Sequence, residues 1–266
     1  MSHSNSDLLK IAVAVAAEAG DLVRTERARA IQDVDTKSTS TDVVTAADKA
    51  AEALIRDRLA GLRPDDAVLG EEDGGAVGTG VTWVVDPIDG TVNYLYGYPW
   101  YCVSVAAQVD GVSVAGAVIE PVSGRQWTAT RGGGAFLDGL PLTASRPESV
   151  ELSLVATGFA YSRERRIAQA AVAARVAGRV RDIRRSGSSA LDLCSVAAGW
   201  VDAYYERGLS AWDWAAGALI AAEAGAVVTL PGTAPELGTD TMYAASPAIV
   251  DALRAVLLEE GVGGDY

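Results

Sequence analysis

Two aspartates three positions apart, Asp86 and Asp89, stand where a β-branched and aromatic run, Val81-Thr82-Trp83-Val84-Val85, breaks off. Such a run has the composition of a buried strand. Pro87 cannot donate to a sheet ladder and Asp89-Gly90 is a turn signal. The strand is therefore expected to stop at Val85, with both carboxylates leaving its end toward one point. Converging carboxylates repel unless protons or cations intervene. A hard divalent cation with oxygen ligands, Mg²⁺ above all, is the partner this chemistry favours. Gly90-Thr91 opens a further element, where backbone N–H groups can receive a phosphate and the Thr91 hydroxyl can hold a water. An Asx turn at a strand end also accounts for the stretch, so other acidic positions must decide.

Those positions recur at the ends of elements. Glu71-Glu72 follows a short strand, Ala67 to Gly70, and would sit beside Asp86 if that strand pairs with the next; alone it fits a solvated turn. Asp48 lies in the first turn of a helix, Ala46 to Leu62, with Ala50, Leu54, Ile55 and Leu59 as its buried stripe; the helix dipole already favours a negative charge there. Trp212-Asp213 opens the most hydrophobic helix, where Asp213 serves either as an N-cap or as a third metal carboxylate. Glu206 ends a strand, Val201 to Glu206, and strand ends are where ligands bind in layered sheets. Three carboxyl clusters at such ends form a metal-site pattern. The one histidine, His3, lies in a polar tail. Ser-His-Asp, Cys-His, phosphohistidine and His-zinc chemistry thereby lose their usual residue. Carboxylates, hydroxyls and metals remain.

The elements that must position these groups divide into two rhythms. An amphipathic helix, Asp7 to about Thr25, precedes a polar loop, Lys37 to Asp42. Tyr101 to Val109 and Val112 to Ile119 form a hairpin through Asp110-Gly111, and Gln126 to Ala129 extends the sheet. Arg131 to Gly134 reads as a turn before a last hairpin at Asp138-Gly139. Beyond a junction at Pro141 to Val150, strands and helices alternate: strands at Leu152 to Ala156, Val180 to Ile183, Ala226 to Leu230 and Thr241 to Ala245, helices at Arg163 to Ala177, Ser188 to Ala198 and Trp212 to Ala224. Ser246-Pro247 is expected to start a last helix to about Glu260. The expectation is one domain, residues 1–266, in two halves of about 7–147 and 148–262.

A net charge of −13 argues against nucleic-acid and anionic-membrane partners and suits a protein that gathers cations. No run approaches the ~18 apolar residues of a membrane span, and residues 1–10 lack a signal-peptide pattern. Cys102 and Cys194, far apart in apolar segments, read as buried thiols in a reducing compartment, so the cytoplasm is the expected address.

Taken together, Gly70-Glu71-Glu72, Asp86-Pro87-Ile88-Asp89-Gly90-Thr91 with Asn93, and Trp212-Asp213 with the alanines after Trp214 resemble the inositol monophosphatase family of Mg²⁺-dependent, Li⁺-sensitive phosphatases. Asp42-Val43-Val44-Thr45 and Asp202-Ala203-Tyr204-Tyr205-Glu206 carry the same resemblance, which spans about residues 8–255. It implies an α+β, layered αβαβα sandwich of the inositol monophosphatase and fructose-1,6-bisphosphatase type, assembled as a homodimer. It implies Glu71, Asp86 and the Ile88 carbonyl as ligands of one Mg²⁺, and Asp86, Asp89 and Asp213 as ligands of a second. A weaker third metal would sit by Glu71 and Asp48, with Mn²⁺ a possible substitute. Thr91, supported by Asp42 or Asp48, would help Glu71 activate a water; Gly90 and Thr91 amides would hold the phosphate. Gly187, Ser188 and Ser189 would line the sugar ring, Glu206 would grip a hydroxyl, and Asp89 and Asp213 would also meet the substrate. Paired metals supply the charge neutralisation and activated water that phosphate monoesters need, which implies direct hydrolysis. The implied substrate is inositol monophosphate or a similar small polyol phosphate. The alternatives are fructose 1,6-bisphosphate, histidinol phosphate, adenosine 3′,5′-bisphosphate, or a regulatory binding role on the same fold. Thr157 to Tyr161 and Tyr96 depart from the family pattern, which leaves substrate choice open.

Overall fold

The computed structural model describes residues 4–31, 34–37 and 43–264. His3, most of the 37–42 loop and Asp42 lie outside the described residues. The chain opens with α1 (Asn5–Ala30), β1 (Val34–Thr36), β2 (Val43–Thr45) and α2 (Ala46–Leu62). β3 (Ala67–Gly70), β4 (Val81–Asp89), α3 (Thr91–Tyr96), β5 (Cys102–Val109), β6 (Val112–Ile119), β7 (Gln126–Thr130), β8 (Gly134–Leu137) and β9 (Leu140–Pro141) follow. The remainder comprises β10 (Leu154–Thr157), α4 (Arg163–Val176), β11 (Asp182–Arg184), α5 (Ser189–Ala197), β12 (Ala203–Arg207), α6 (Ala211–Glu223), β13 (Val227–Thr229), β14 (Thr241–Ala245) and α7 (Val250–Glu259), with short 3₁₀ turns at Val150–Leu152 and Pro235–Leu237.

Strands β3 to β9 form a seven-stranded sheet in sequence order, and a five-stranded sheet has the order β11-β10-β12-β14-β13. β4 shows how the layers arise. Successive strand residues face opposite sides: Trp83 and Val85 enter a core with Val15, Ala19 and Ile55 of α1 and α2, whereas Val84 joins Leu191, Ala216 and Ile220 of α5 and α6. A strand buried on both faces carries a continuous apolar run instead of alternation. The other side of α5 and α6 packs on the second sheet through Leu193, Ala218, Tyr204 and Ala244, whose far face is covered by Val172, Val176, Leu253 and Leu257 of α4 and α7. The result is the layered αβαβα sandwich.

Four expectations need correction. α1 runs on to Ala30, with Arg27 and Arg29 in its last turn where the helix dipole favours them. In α2 the buried stripe is Ala47, Ala51, Ile55 and Leu59, with Asp48 and Glu52 buried beside it, while Ala50 is exposed. β4 does not stop at Val85. It continues through Pro87 to Asp89, because the register shifts between Asp86 and Asp89 and the proline falls on the irregular step, where no ladder donor is required. The last helix starts at Val250, not Ser246: the Ser246 hydroxyl donates to the Ser145 carbonyl at 2.6 Å and its amide to Asp202 O, so it ties a turn to the junction segment. Cys102 and Cys194 are buried free thiols, as expected. Among the described residues no helix is long and apolar enough to cross a membrane.

Candidate metal centre and adjoining cavity

The bulge in β4 is what makes a site. In a regular strand, residues three apart point to opposite faces. The extra residue between the Asp86↔Ser104 and Asp89↔Cys102 pairs returns Asp89 to the side of Asp86. Asp213 arrives from the first turn of α6, and one carboxylate oxygen from each of the three lies within 4.8 Å of the others. Asp213 is not the N-cap. Ser210 occupies that position, and Asp213, at the third residue of a capping box, accepts the Ser210 amide at 2.6 Å. Asp89 sits at the start of α5, where it accepts the Ser188 hydroxyl at 2.6 Å, the Ala190 amide at 2.7 Å and the Ser189 amide at 3.3 Å. Asp86 accepts the Ile88 amide at 3.0 Å.

The electrostatics of this cluster are unfinished. Burial, then the charges of Glu71, Asp89 and Asp213, push Asp86 well above the usual carboxylate range. Burial and the charges of Asp89 and Glu71 do the same to Asp213. Asp89 is pushed up to about 6 by burial, against the pull of the Ser188 hydroxyl and Ala190 amide. Among the described residues no lysine or arginine pairs with any of the three. Three hard oxygen donors, dry and mutually repelling, fit a divalent cation such as Mg²⁺ or Mn²⁺.

Strand pairing brings the second acidic cluster alongside. β3 runs parallel to β4 with Gly70 opposite Val85, so Glu71 emerges next to Asp86. Lys37 reaches this turn: its Nζ lies 2.8 Å from Glu71 Oε1 and 2.6 Å from Glu72 Oε1. Burial alone lowers the Lys37 pKa, but the two glutamates outweigh it and leave it raised. Asp48 is fully buried in the capping box of α2 and accepts the Thr45 amide at 2.8 Å and the Thr45 hydroxyl at 2.6 Å. Its other oxygen lies 3.2 Å from the Thr91 hydroxyl, which is also 3.0 Å from the Ile88 carbonyl. Burial pushes Asp48 up to about 6 despite its Thr45 partners. Gly90 makes the left-handed turn from β4 into α3, with φ 97°.

Beside the acidic centre opens a cavity of about 270 Å³, lined by Asp89, Gly90, Gly187, Ser189, Glu206 and Asp213 together with the 158–162 segment. Glu206 accepts the Tyr204 hydroxyl at 2.7 Å. Burial pushes it up to about 7 against the pull of Tyr204 and Arg185. Gly158 leaves room for the Glu206 carboxylate, which a Cβ at that position would displace. Of the expected substrate contacts, Thr91 and Ser188 are not in this lining; the Ser188 hydroxyl points at Asp89 and also accepts the Leu191 amide at 3.3 Å. Sequence reasoning missed Lys37 as a partner of Glu71, the arginines Arg165, Arg185 and Arg207 at the cavity wall, and buried Glu52. Glu52 alone carried a local signal: it stands one helical turn from Asp48 on the same face of α2.

The profile of the inositol monophosphatase family matches residues 4–261. A Mycobacterium leprae protein named inositol-1-monophosphatase is 52% identical over 267 residues, covering 93% of this chain and 92% of its own. The solved structure of Mycobacterium tuberculosis SuhB superposes with a TM-score of 0.85 at 43% identity, covering 98% of this chain and 100% of that one. An Escherichia coli protein named Nus factor SuhB is 36% identical, covering 95% of this chain and 96% of its own.

Proposed function

This chain belongs to the inositol monophosphatase family, and we propose that it hydrolyses myo-inositol 1-phosphate, or a small polyol phosphate like it, to the free polyol and inorganic phosphate. It is a phosphomonoester hydrolase of a metal-dependent family. The observation that carries the substrate reading is the convergence of Asp86, Asp89 and Asp213 at the edge of a cavity holding Glu206.

In this reading Glu71, Asp86 and the Ile88 carbonyl would hold one cation and Asp86, Asp89 and Asp213 a second, with Mg²⁺ the natural ion and Mn²⁺ its substitute. When bound, the metal neutralises phosphate charge and makes water a competent nucleophile at neutral pH. The chain supplies the proton path. Thr91 can take a proton from the attacking water as its own passes to Asp48, whose raised pKa of about 6 suits a general base near neutrality. The Gly90 and Thr91 amides face the phosphate. Gly187 and Ser189 bound the polyol ring, and Glu206, oriented by Tyr204, accepts a ring hydroxyl. No covalent enzyme intermediate is required, since water is the nucleophile throughout. The same reading takes the chain as one domain that works as a homodimer in the cytoplasm.

The test is inorganic phosphate release from inositol 1-phosphate, fructose 1,6-bisphosphate, histidinol phosphate and adenosine 3′,5′-bisphosphate, with and without Mg²⁺ and Li⁺. Mg²⁺-dependent turnover of inositol 1-phosphate, blocked by Li⁺, is expected to dominate. Preference for another substrate would retain the centre and discard the role given to Glu206.

A further inference from the structure

The mechanism above leaves one buried carboxylate unused. Glu52 is wholly buried in α2, its side chain directed at the turn that carries Glu71. Its Oε2 accepts the Glu72 amide at 2.7 Å, and its Oε1 accepts the Asp73 amide at 3.0 Å. Arg56, one turn further along α2, donates to Glu52 Oε1 at 2.8 Å and to the Gly74 carbonyl at 2.6 Å. That carbonyl also accepts the Gly70 amide at 2.9 Å, which closes the turn. Gly70 makes room for the clamp: a Cβ there would collide with the Glu52 carboxylate. Past Gly70, which pairs with Val85 of β4, the turn is tied to α2 through the Glu72 and Asp73 amides and the Gly74 carbonyl, and Glu71 stands between these anchors.

The same helix face holds the proton-transfer pair. Asp48, four residues before Glu52, fixes Thr91. Residues 48, 52 and 56 form one stripe, and four residues of α-helix advance by about 6 Å. The helix backbone thus sets the offset between the Thr91 hydroxyl and the Glu71 arm. We propose that Glu52 is a positioning residue for metal binding at Glu71, acting with Arg56 through the 70–74 turn and not by touching metal or substrate. The proposal rests on the reading of Glu71 as a metal ligand.

A carboxylate that receives two turn amides is not by itself functional, and the molecule contains its own control. Glu223 accepts the Gly132 amide at 2.9 Å and the Gly134 amide at 3.0 Å, in a turn that carries no ligand. Glu52→Gln and Glu223→Gln each leave one amide poorly served, with the greater loss of thermal stability at Glu52, which is wholly buried and also holds Arg56. They should part in metal affinity. Mg²⁺ titrated calorimetrically into the full chain, without substrate, should bind about 10- to 100-fold more weakly to Glu52→Gln, as is usual when a residue that orients a ligand is lost. Glu223→Gln should keep wild-type affinity. At saturating Mg²⁺, Glu52→Gln should lower kcat while KM for the phosphate ester stays put, because the cavity lining belongs to other elements. Should Glu52→Gln not fold, Arg56→Lys, which keeps the charge but loses the fork that serves Glu52 and the Gly74 carbonyl together, should weaken Mg²⁺ binding in the same direction by a smaller factor. Equal Mg²⁺ affinity in both glutamine variants, or in Arg56→Lys and wild type, overturns the proposal, as does a wild-type protein that binds no Mg²⁺. Wild type that binds Mg²⁺ yet releases phosphate from none of the four substrates sinks the substrate reading alone, and the calorimetric comparison still decides this one.

Discussion

Two clusters in this protein bring aspartate to bear on its surroundings in opposite ways. Asp240 takes the Nε of Arg207 at 2.7 Å and a guanidinium N–H of Arg165. Burial works against its ionisation, but the hydrogen bonds and charges of the two arginines outweigh that and hold its carboxyl below the ordinary value. Among the described residues Asp86, Asp89 and Asp213 have no such cations, and all three are pushed up. The same side chain is finished by the chain in one place and left for something else to finish in the other. Folding alone would not retain the second arrangement, because like charges brought together in a dry site oppose it. A cation from outside resolves the repulsion, and this is the physical content of a metal centre.

The contrast can be broken most severely at its unfinished side. Asp86→Asn or Asp213→Asn should lower kcat/KM by about 10³-fold or more, since the cation provides several kcal/mol of transition-state stabilisation. Either change should also raise the melting temperature of the metal-free protein, because it removes one of the repelling charges. A melting temperature that falls in both variants would mean that the cluster is not strained.

A smaller effect concerns pH. Asp48 and Asp89 both rise from an ordinary 3.8 to about 6, so the native state binds protons more tightly than the unfolded chain between those values. Their stabilising contribution is present below pH 3.8 and is lost as pH climbs to about 6. Thermal unfolding of the metal-free protein at pH 4 to 7 should show this decline, and Mg²⁺ should remove most of it. A flat profile in the absence of metal would equate the two clusters.

The least change is expected at the finished side. Asp240→Asn should cost about 1 kcal/mol, a modest value because the pair is partly exposed and solvent screens it. Arg165 and Arg207 line the cavity, so KM is the kinetic parameter that should move, while the Mg²⁺ concentration for half-maximal rate stays as it was. Chemical denaturation and metal titration of the variant check the two halves of that statement.

What could be read before any coordinates follows the range of the forces involved. The extent of α2, β3, the Asp110-Gly111 hairpin and β14 matched the observed elements because periodicity and turn chemistry are local. Element ends set by distant partners did not match. Pro87 suggested a strand end, yet pairing with β5 absorbs it in a bulge; Ser246-Pro247 suggested a helix start, yet Ser246 is taken by Ser145, 101 positions away. The site divides in the same manner. Asp86, Asp89, Glu71, Asp48 and Asp213 were found as residue types at suggestive ends, while Lys37, Glu52 and the cavity arginines had no local mark strong enough to select them.

The sequence by itself determined the chemical inventory: carboxylates with a single histidine, His3, confined to the N-terminal tail, a strand that ends in acid, and a helix that begins with it. Tertiary structure alone decided convergence. The bulge that turns Asp89 to the side of Asp86 depends on the partner strand, and the α5 start that receives Asp89 comes from Ser188, 99 positions later. The clamp that holds the Glu71 turn crosses 20 positions from Glu52. Local spacing specifies which way a side chain leaves its own element, but which charges meet, and in how dry a place, is set by packing between layers far apart in the chain.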